Sequence, residues 1–107
     1  MSVANSDSGF LSDEEILTCV ERGLDKVGTG VKKLVFWHLQ KLGHIKRNEI
    51  PRKPELFVSG LRLLYRESAA SVEKAIVQEL NSEFGFSFAY DQLADAIVQA
   101  KKKTIVA

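Results

Sequence analysis

Apolar residues recur at spacings of three and four along most of the chain, which is the pattern of amphipathic helices. The first such stretch follows Ser12, and Ser12 and Glu15 have the spacing of a capping box. Gly28 closes this stretch, as glycine commonly does at the end of a helix. The pattern therefore predicts a first helix that starts near residue 11 and uses Ser12 as its N-cap.

Two further helices are predicted by the same spacing. The second lies between Thr29, as the expected N-cap, and Gly43, just past its C-terminus. Phe36 and Trp37 widen its apolar face, so we expect this helix to be covered on more than one side. The third helix is expected to begin at Pro54, because proline is favoured in the first turn.

The last part of the chain holds two more predicted helices joined by an aromatic segment. The fourth helix follows Ser68, and the fifth runs from about Asp91 into the lysines at 101–103. Between them, residues 84–90 place aromatic side chains at alternate positions, which is a strand-like period. Because a lone strand has no partner elsewhere in the sequence, we expect an extended linker that holds its rings against the helices.

These elements together predict an all-α, single-domain bundle of about five helices. A polar, disordered arm is expected at residues 1–10, the helical domain at 11–104 and a short tail at 105–107. The positions that face inward on the predicted helices define the expected core: Val20, Leu24, Leu34, Val35, Leu39, Leu61, Leu64, Ile76, Leu80, Leu93 and Ile97.

Composition narrows the class of protein without identifying a reaction. A length of 107 residues fits one domain with a core of its own. The single cysteine, Cys19, excludes an internal disulfide and reads as a small buried hydrophobe. No run approaches the roughly 20 apolar residues of a membrane span, and the first residues lack the features of a secretory signal. These observations favour a cytoplasmic protein without a membrane partner.

Candidate catalytic and metal-ligating residues are sparse. His38 and His44 are six residues apart across a helix end, and no second cysteine or acidic pair completes a metal site. We therefore expect no metal, no cofactor, no catalytic residue and no enzymatic activity, with His38 at an interface and His44 exposed. A weaker alternative is an enzyme or small-molecule sensor with a site near His38, Trp37 and the rings of Phe86 and Phe88.

Charge is strongly segregated along the chain. Residues 30–53 carry a net charge of +6, whereas residues 1–29 and 54–100 each carry −4, so the near-neutral total of +1 hides a positive centre. The basic side chains that form a candidate binding surface in this centre are Lys32, Lys33, Lys41, Lys46, Arg47, Arg52 and Lys53. Clustered cations can bind phosphate groups.

Two interpretations of the basic segment remain open. The sequence from Val35 to Ile50 has a local likeness to a winged helix-turn-helix, which would make the protein a nucleic-acid-binding regulatory domain. However, Pro51 and Pro54 fall where its second helix should continue, and no two-stranded wing is evident. In the other interpretation, a cationic loop docks against the acidic flanks of this chain or against a partner.

Several segments together resemble one family. They are the helix end at 38–43, the run at 45–57 with its Ile50-Pro51 and Pro54-Glu55 pairs, and the segments 61–65 and 72–76. The chain resembles, over about residues 14–103, the small all-helical archaeal domains called Nitrosopumilus output domains, which occur alone or joined to sensor and regulatory modules. It departs from that pattern in the turn at 66–70, where a glycine would be expected. The resemblance implies an intracellular interaction or output module and carries over no catalytic residues.

The leading hypothesis is therefore a non-enzymatic protein-interaction or signal-output module. Its expected contact surface is the segment 43–54 together with Trp37, with Trp37, His44, Ile50 and Pro51 as the contact residues. A protein partner is expected, and self-association into a homodimer is a further alternative.

Overall fold

The computed structural model describes the backbone of residues 8–106 and the side chains of residues 13–102. The α-helices in this part of the chain are α1 (Ser8–Val27), α2 (Val31–Leu42), α3 (Pro54–Tyr65), α4 (Ala69–Phe84) and α5 (Leu93–Val106). Short 3₁₀ turns occur at Arg47–Glu49 and Arg66–Ser68, and no strand is found within residues 8–106. The predicted all-α class is confirmed.

The expected number of about five helices depends on the junction between α3 and α4. Only the 3₁₀ turn Arg66–Ser68 separates these helices, so the chain stays helical across the bend. Counted as one bent segment, the two helices leave four helical segments in the described residues, slightly fewer than expected.

The core lies between four of the helices. α1 packs along α4 and α5, α3 packs against α4 and α5, and α2 sits at the edge, where it touches α1 and α3. The predicted core residues are buried with two exceptions: Leu64 is half-buried against the core, and Leu34 is half exposed. Leu34 was wrongly placed because the apolar residues of α2 cover more of its circumference than the bundle can bury.

Gly23 determines how closely α1 and α4 pack. It lies within α1 and is buried against α4. A Cβ atom at this position would lie 2.8 Å from the Cα atom of Ile76 and 2.9 Å from its backbone nitrogen. The contact is therefore available only to a residue without a side chain.

Two of the predicted N-terminal caps are wrong. Ser12 lies inside α1, which already begins at Ser8, so it cannot be the N-cap. The N-cap of α2 is Gly30 rather than Thr29, and its φ of 83° lies in the left-handed region that favours glycine. The tight corner between α1 and α2 requires that backbone conformation, which Thr29 would not supply.

The predicted start of the third helix is correct, and the predicted start of the fifth helix is two residues too early. Pro54 occupies the first turn of α3, as expected. α5 begins at Leu93 rather than near Asp91. Of the predicted arm at 1–10, residues 1–7 lie outside the described residues, and α1 starts at Ser8. Of the predicted tail at 105–107, Ala107 lies outside the described residues.

The aromatic segment between α4 and α5 is an extended linker, as predicted. Asn81 of α4 fixes it with two hydrogen bonds: its amide nitrogen donates to the Phe88 carbonyl oxygen (3.0 Å), and its oxygen accepts from the Phe88 N–H (3.1 Å). The Phe86 ring stacks on Phe84 and meets Phe88 edge-on, with ring centroids 5.6 and 5.3 Å away. The rings of Phe86 and Phe88 pack against the core.

Candidate functional site

The basic segment folds onto the acidic face of α1. Arg47 binds the Glu21 carboxylate with an Nε–Oε2 distance of 2.6 Å. Arg52 approaches Asp13 at 3.6 Å, and Asp13 also lies 3.7 Å from the Lys101 ammonium of α5. The segregated charges along the chain therefore meet within the fold, as the interpretation of a loop docking on its own acidic flank predicted.

Two more basic residues of this segment also have acidic neighbours. Lys32 lies 3.7 Å from Asp25, and Lys53 lies 3.4 Å from Glu49. The Lys46 backbone N–H donates to the Glu49 carboxylate at 2.8 Å, and this bond, with the charge of Lys53, lowers the Glu49 pKa. Within the described side chains, the basic residues of this segment that form no ion pair are Lys33, Lys41 and Lys46.

The loop between α2 and α3 is held in place by apolar side chains that it buries in the core. Ile45 and Ile50 are almost completely buried, and Pro51 is buried beside them. Ile50 and Pro51 therefore cannot serve as contact residues in this conformation, which corrects that part of the expected surface. His44 is exposed, as predicted, with a φ of 54°.

Large apolar side chains instead emerge at solvent-facing positions along α2. Leu34 is 51% exposed, Trp37 is 56% exposed and Leu42 is 60% exposed. Only Val35 and Leu39 of this helix are fully buried. We expected α2 to be covered on more than one side, but the rest of the chain leaves these side chains uncovered. Trp37 is accessible, as a contact residue must be.

α3, which packs against α2, also exposes large apolar side chains. Leu56 is 44% exposed and Leu63 is 70% exposed, and Gly60 lies between them on the same side of the helix. A Cβ atom at Gly60 would lie 2.8 Å from Leu39 Cδ2 of α2, so this side of α3 faces α2. We call the five exposed side chains together the α2–α3 face: Leu34, Trp37, Leu42, Leu56 and Leu63.

A polar contact ties the two helices together beside this face. His38 Nδ1 lies 3.1 Å from the Tyr65 hydroxyl, and the Trp37 ring meets the His38 ring edge-on at 5.3 Å. His38 is thus a half-buried interface residue, as expected. The cavity next to Phe86 and Phe88 is lined by those two rings with Ser87 and Gln99, and neither His38 nor Trp37 contributes to it.

A second surface feature lies at the bend between α3 and α4. Arg62 clamps the buried carboxylate of Glu73 with two hydrogen bonds of 3.0 and 3.1 Å, which raise the pKa of the Arg62 guanidinium. Arg66 follows with a φ of 50°, where glycine is favoured. A groove of about 400 Å³ opens here between the two arginines and Tyr90.

This bend was the point at which the sequence departs from the resembled family. Arg66 occupies this turn with a positive φ. The groove and the clamp on Glu73 were not predicted, although an acid on an apolar helix face, with Val72 and Ile76 as neighbours, is a signal of a buried ion pair.

Comparisons with known proteins identify no relative of this chain. Searches against models of protein families, curated proteins and solved structures gave no significant match. Among the described residues, no helix has the length and apolar content to cross a lipid bilayer. No group of three or more potential metal-ligating His, Cys, Asp or Glu side chains comes together in that part of the chain.

Proposed function

We propose that the protein is a non-enzymatic protein-interaction module and that the α2–α3 face is its binding surface. The observation that carries the proposal is the half-exposed state of Leu34, Trp37 and Leu42 on one edge helix. Contiguous exposed apolar surface on a monomer marks interaction sites. Tryptophan is also among the residues most enriched at the energetic centres of protein interfaces.

The resemblance to archaeal output domains also favours an interaction module. Such a module would respond to a sensor or regulatory partner inside the cell, without chemistry of its own. In this proposal the segment 43–53 acts as a rigid support for α2 rather than as the contact surface, because its central apolar residues are buried.

Nucleic-acid binding has less support as an alternative. Arg47, Arg52 and Lys32 have acidic partners within the chain, and a phosphate would have to compete with them. A two-stranded wing is missing from residues 8–106. The alternative predicts binding to a generic duplex at low salt that weakens steeply as salt is added.

The test compares the wild-type chain with Trp37→Glu in a pull-down from native lysate, with Val98→Glu as the matched control. Val98 is a partly exposed apolar residue on α5, and it is not part of the α2–α3 face. We expect Trp37→Glu to lose the proteins that the wild type and Val98→Glu both recover, while all three chains keep the same circular dichroism. Equal recovery by all three would contradict the proposal.

A further inference from the structure

On each of the two helices, the exposed leucines of the α2–α3 face extend over the length that one further helix would contact. Leu56 and Leu63 are two turns apart on α3, and Leu34 and Leu42 are slightly more than two turns apart on α2. Both spacings correspond to about 10–12 Å along a helix axis. A helix docked on an apolar groove presents anchors at positions i, i+3 or i+4, and i+7, which span this length.

The charge around the face indicates what kind of helix fits. Lys33 lies one turn before Trp37 and Lys41 one turn after it, so both lysines share the side of α2 that carries the ring. Neither forms an ion pair within the described residues. α2 contains no acidic residue, whereas the acids nearest in sequence to the exposed leucines of α3 are Glu55, beside Leu56, and Glu67, four residues after Leu63.

The same charges argue against a second copy of this chain as the occupant. A symmetric pair formed through the α2–α3 face would bring Lys33 and Lys41 towards the same lysines of the other copy. Like charges brought together at an interface are unfavourable, whereas acidic side chains would be attracted to them.

We infer that the α2–α3 face binds an amphipathic helix of a partner protein, with an apolar stripe flanked by acidic residues. The inference rests on the proposed function and adds the chemistry of the partner. The apolar stripe covers Trp37 and the leucines, and glutamates or aspartates reach Lys33 and Lys41. Binding buries the indole of Trp37, which is the only tryptophan of the chain.

The indole provides the readout, because its fluorescence shifts to the blue when it leaves water. The probe is a synthetic peptide of about 18 residues, long enough to form a helix, with leucines at i, i+3, i+4 and i+7 and glutamates on both flanks. The matched probe has lysines in place of the glutamates. Vesicles of phosphatidylserine and phosphatidylcholine and a generic DNA duplex are tested in parallel.

We expect the glutamate peptide to bind the full chain at least tenfold more tightly than the lysine peptide at about 50 mM salt, where surface charges are weakly screened. The double change Lys33→Glu and Lys41→Glu should reverse this preference. The change Lys74→Glu on α4 is the control and should leave it intact. Leu63→Ser should weaken the glutamate peptide about tenfold without changing the circular dichroism.

The remaining outcomes separate the inference from the proposed function. Equal binding of both peptides refutes the acidic partner but leaves the binding face in place. A blue shift that grows with protein concentration alone, with a doubled mass in light scattering, identifies a second copy as the occupant and also refutes the inference. A blue shift with vesicles or duplex but with neither peptide refutes both.

Discussion

The close approach of α1 and α4 at Gly23 predicts that Gly23→Ala destabilises the fold, although alanine is the better helix former. Two effects oppose each other here. In a helix interior, replacing glycine by alanine stabilises by about 1 kcal/mol. Against this, the new Cβ atom would lie 2.8 Å from the Cα atom of Ile76, so the two helices must move apart along the main packing contact of the bundle.

The steric effect should be larger than the gain in helix propensity. Overpacking of a well-packed core typically costs about 1–3 kcal/mol, and here the obstructing atoms belong to a backbone that cannot rotate away. With a cost in the upper half of that range, about 2–3 kcal/mol, the net loss is about 1–2 kcal/mol. For a domain of this size, that loss lowers Tm by roughly 5–15 °C.

Gly60→Ala is the matched control, because its Cβ atom would be equally close to a neighbour. That neighbour is Leu39 Cδ2, the end of a buried side chain that can change rotamer, whereas the neighbour of Gly23 is backbone. The same gain in helix propensity then meets a smaller penalty, so Gly60→Ala should stay within about 1 kcal/mol of the wild type. Urea unfolding followed by far-UV circular dichroism measures both variants. The reasoning fails if Gly23→Ala is as stable as Gly60→Ala.

Three further changes test other parts of the fold. Arg66→Gly should stabilise by about 1 kcal/mol in thermal unfolding, because it relieves the positive φ, whereas Arg66→Ala should bring no gain. Asn81→Ala should destabilise by about 1–2 kcal/mol in urea unfolding, since it leaves two backbone groups of Phe88 without partners; an unchanged midpoint would contradict this. Burial and the charges of nearby glutamates raise the pKa of the Cys19 thiol to about 12, from 9.0. The contribution of Cys19 to stability should therefore be constant below about pH 9 and fall above it as the unfolded thiol ionises, so the difference in unfolding free energy between the wild type and Cys19→Ala should change only above about pH 9 in urea unfolding at graded pH.

Much of the fold could be predicted because each helix carries its own periodic signal. The predicted inward residues of α4, Ile76 and Leu80, are both buried. The linker was correctly separated from a strand by one global argument, the lack of a partner strand. Local periodicity sufficed wherever a helix has one apolar side.

The errors arise where a position depends on a neighbour that the sequence does not identify. The apolar residues of α2 exceed what one contact can bury, and spacing alone could not show that Leu34 lies on the outer side. From the sequence alone, Gly23 is only a residue of low helix propensity within α1. Its packing role is visible only once the position of α4 is known. Ile50 was assigned to the surface because it lies in a charged loop, but it fills the space beneath that loop.

The candidate site was predicted in part. Trp37 was correctly expected to be accessible, and the docking of the basic segment on acidic residues of the same chain was one of the two interpretations left open. The exposed leucines of α3, Leu56 and Leu63, were missed, because the spacing of apolar residues does not show which side of α3 the bundle leaves uncovered.

The position of α2 at the edge of the bundle has a consequence for local unfolding. Residues with few buried contacts open at a lower free energy than the whole domain, and α2 fully buries only Val35 and Leu39. Its amide protons should therefore exchange with solvent faster than those of α4, whose inner side is buried along its length. A ligand that covers α2 would slow exchange there first, so the helix that binds would also report the binding event.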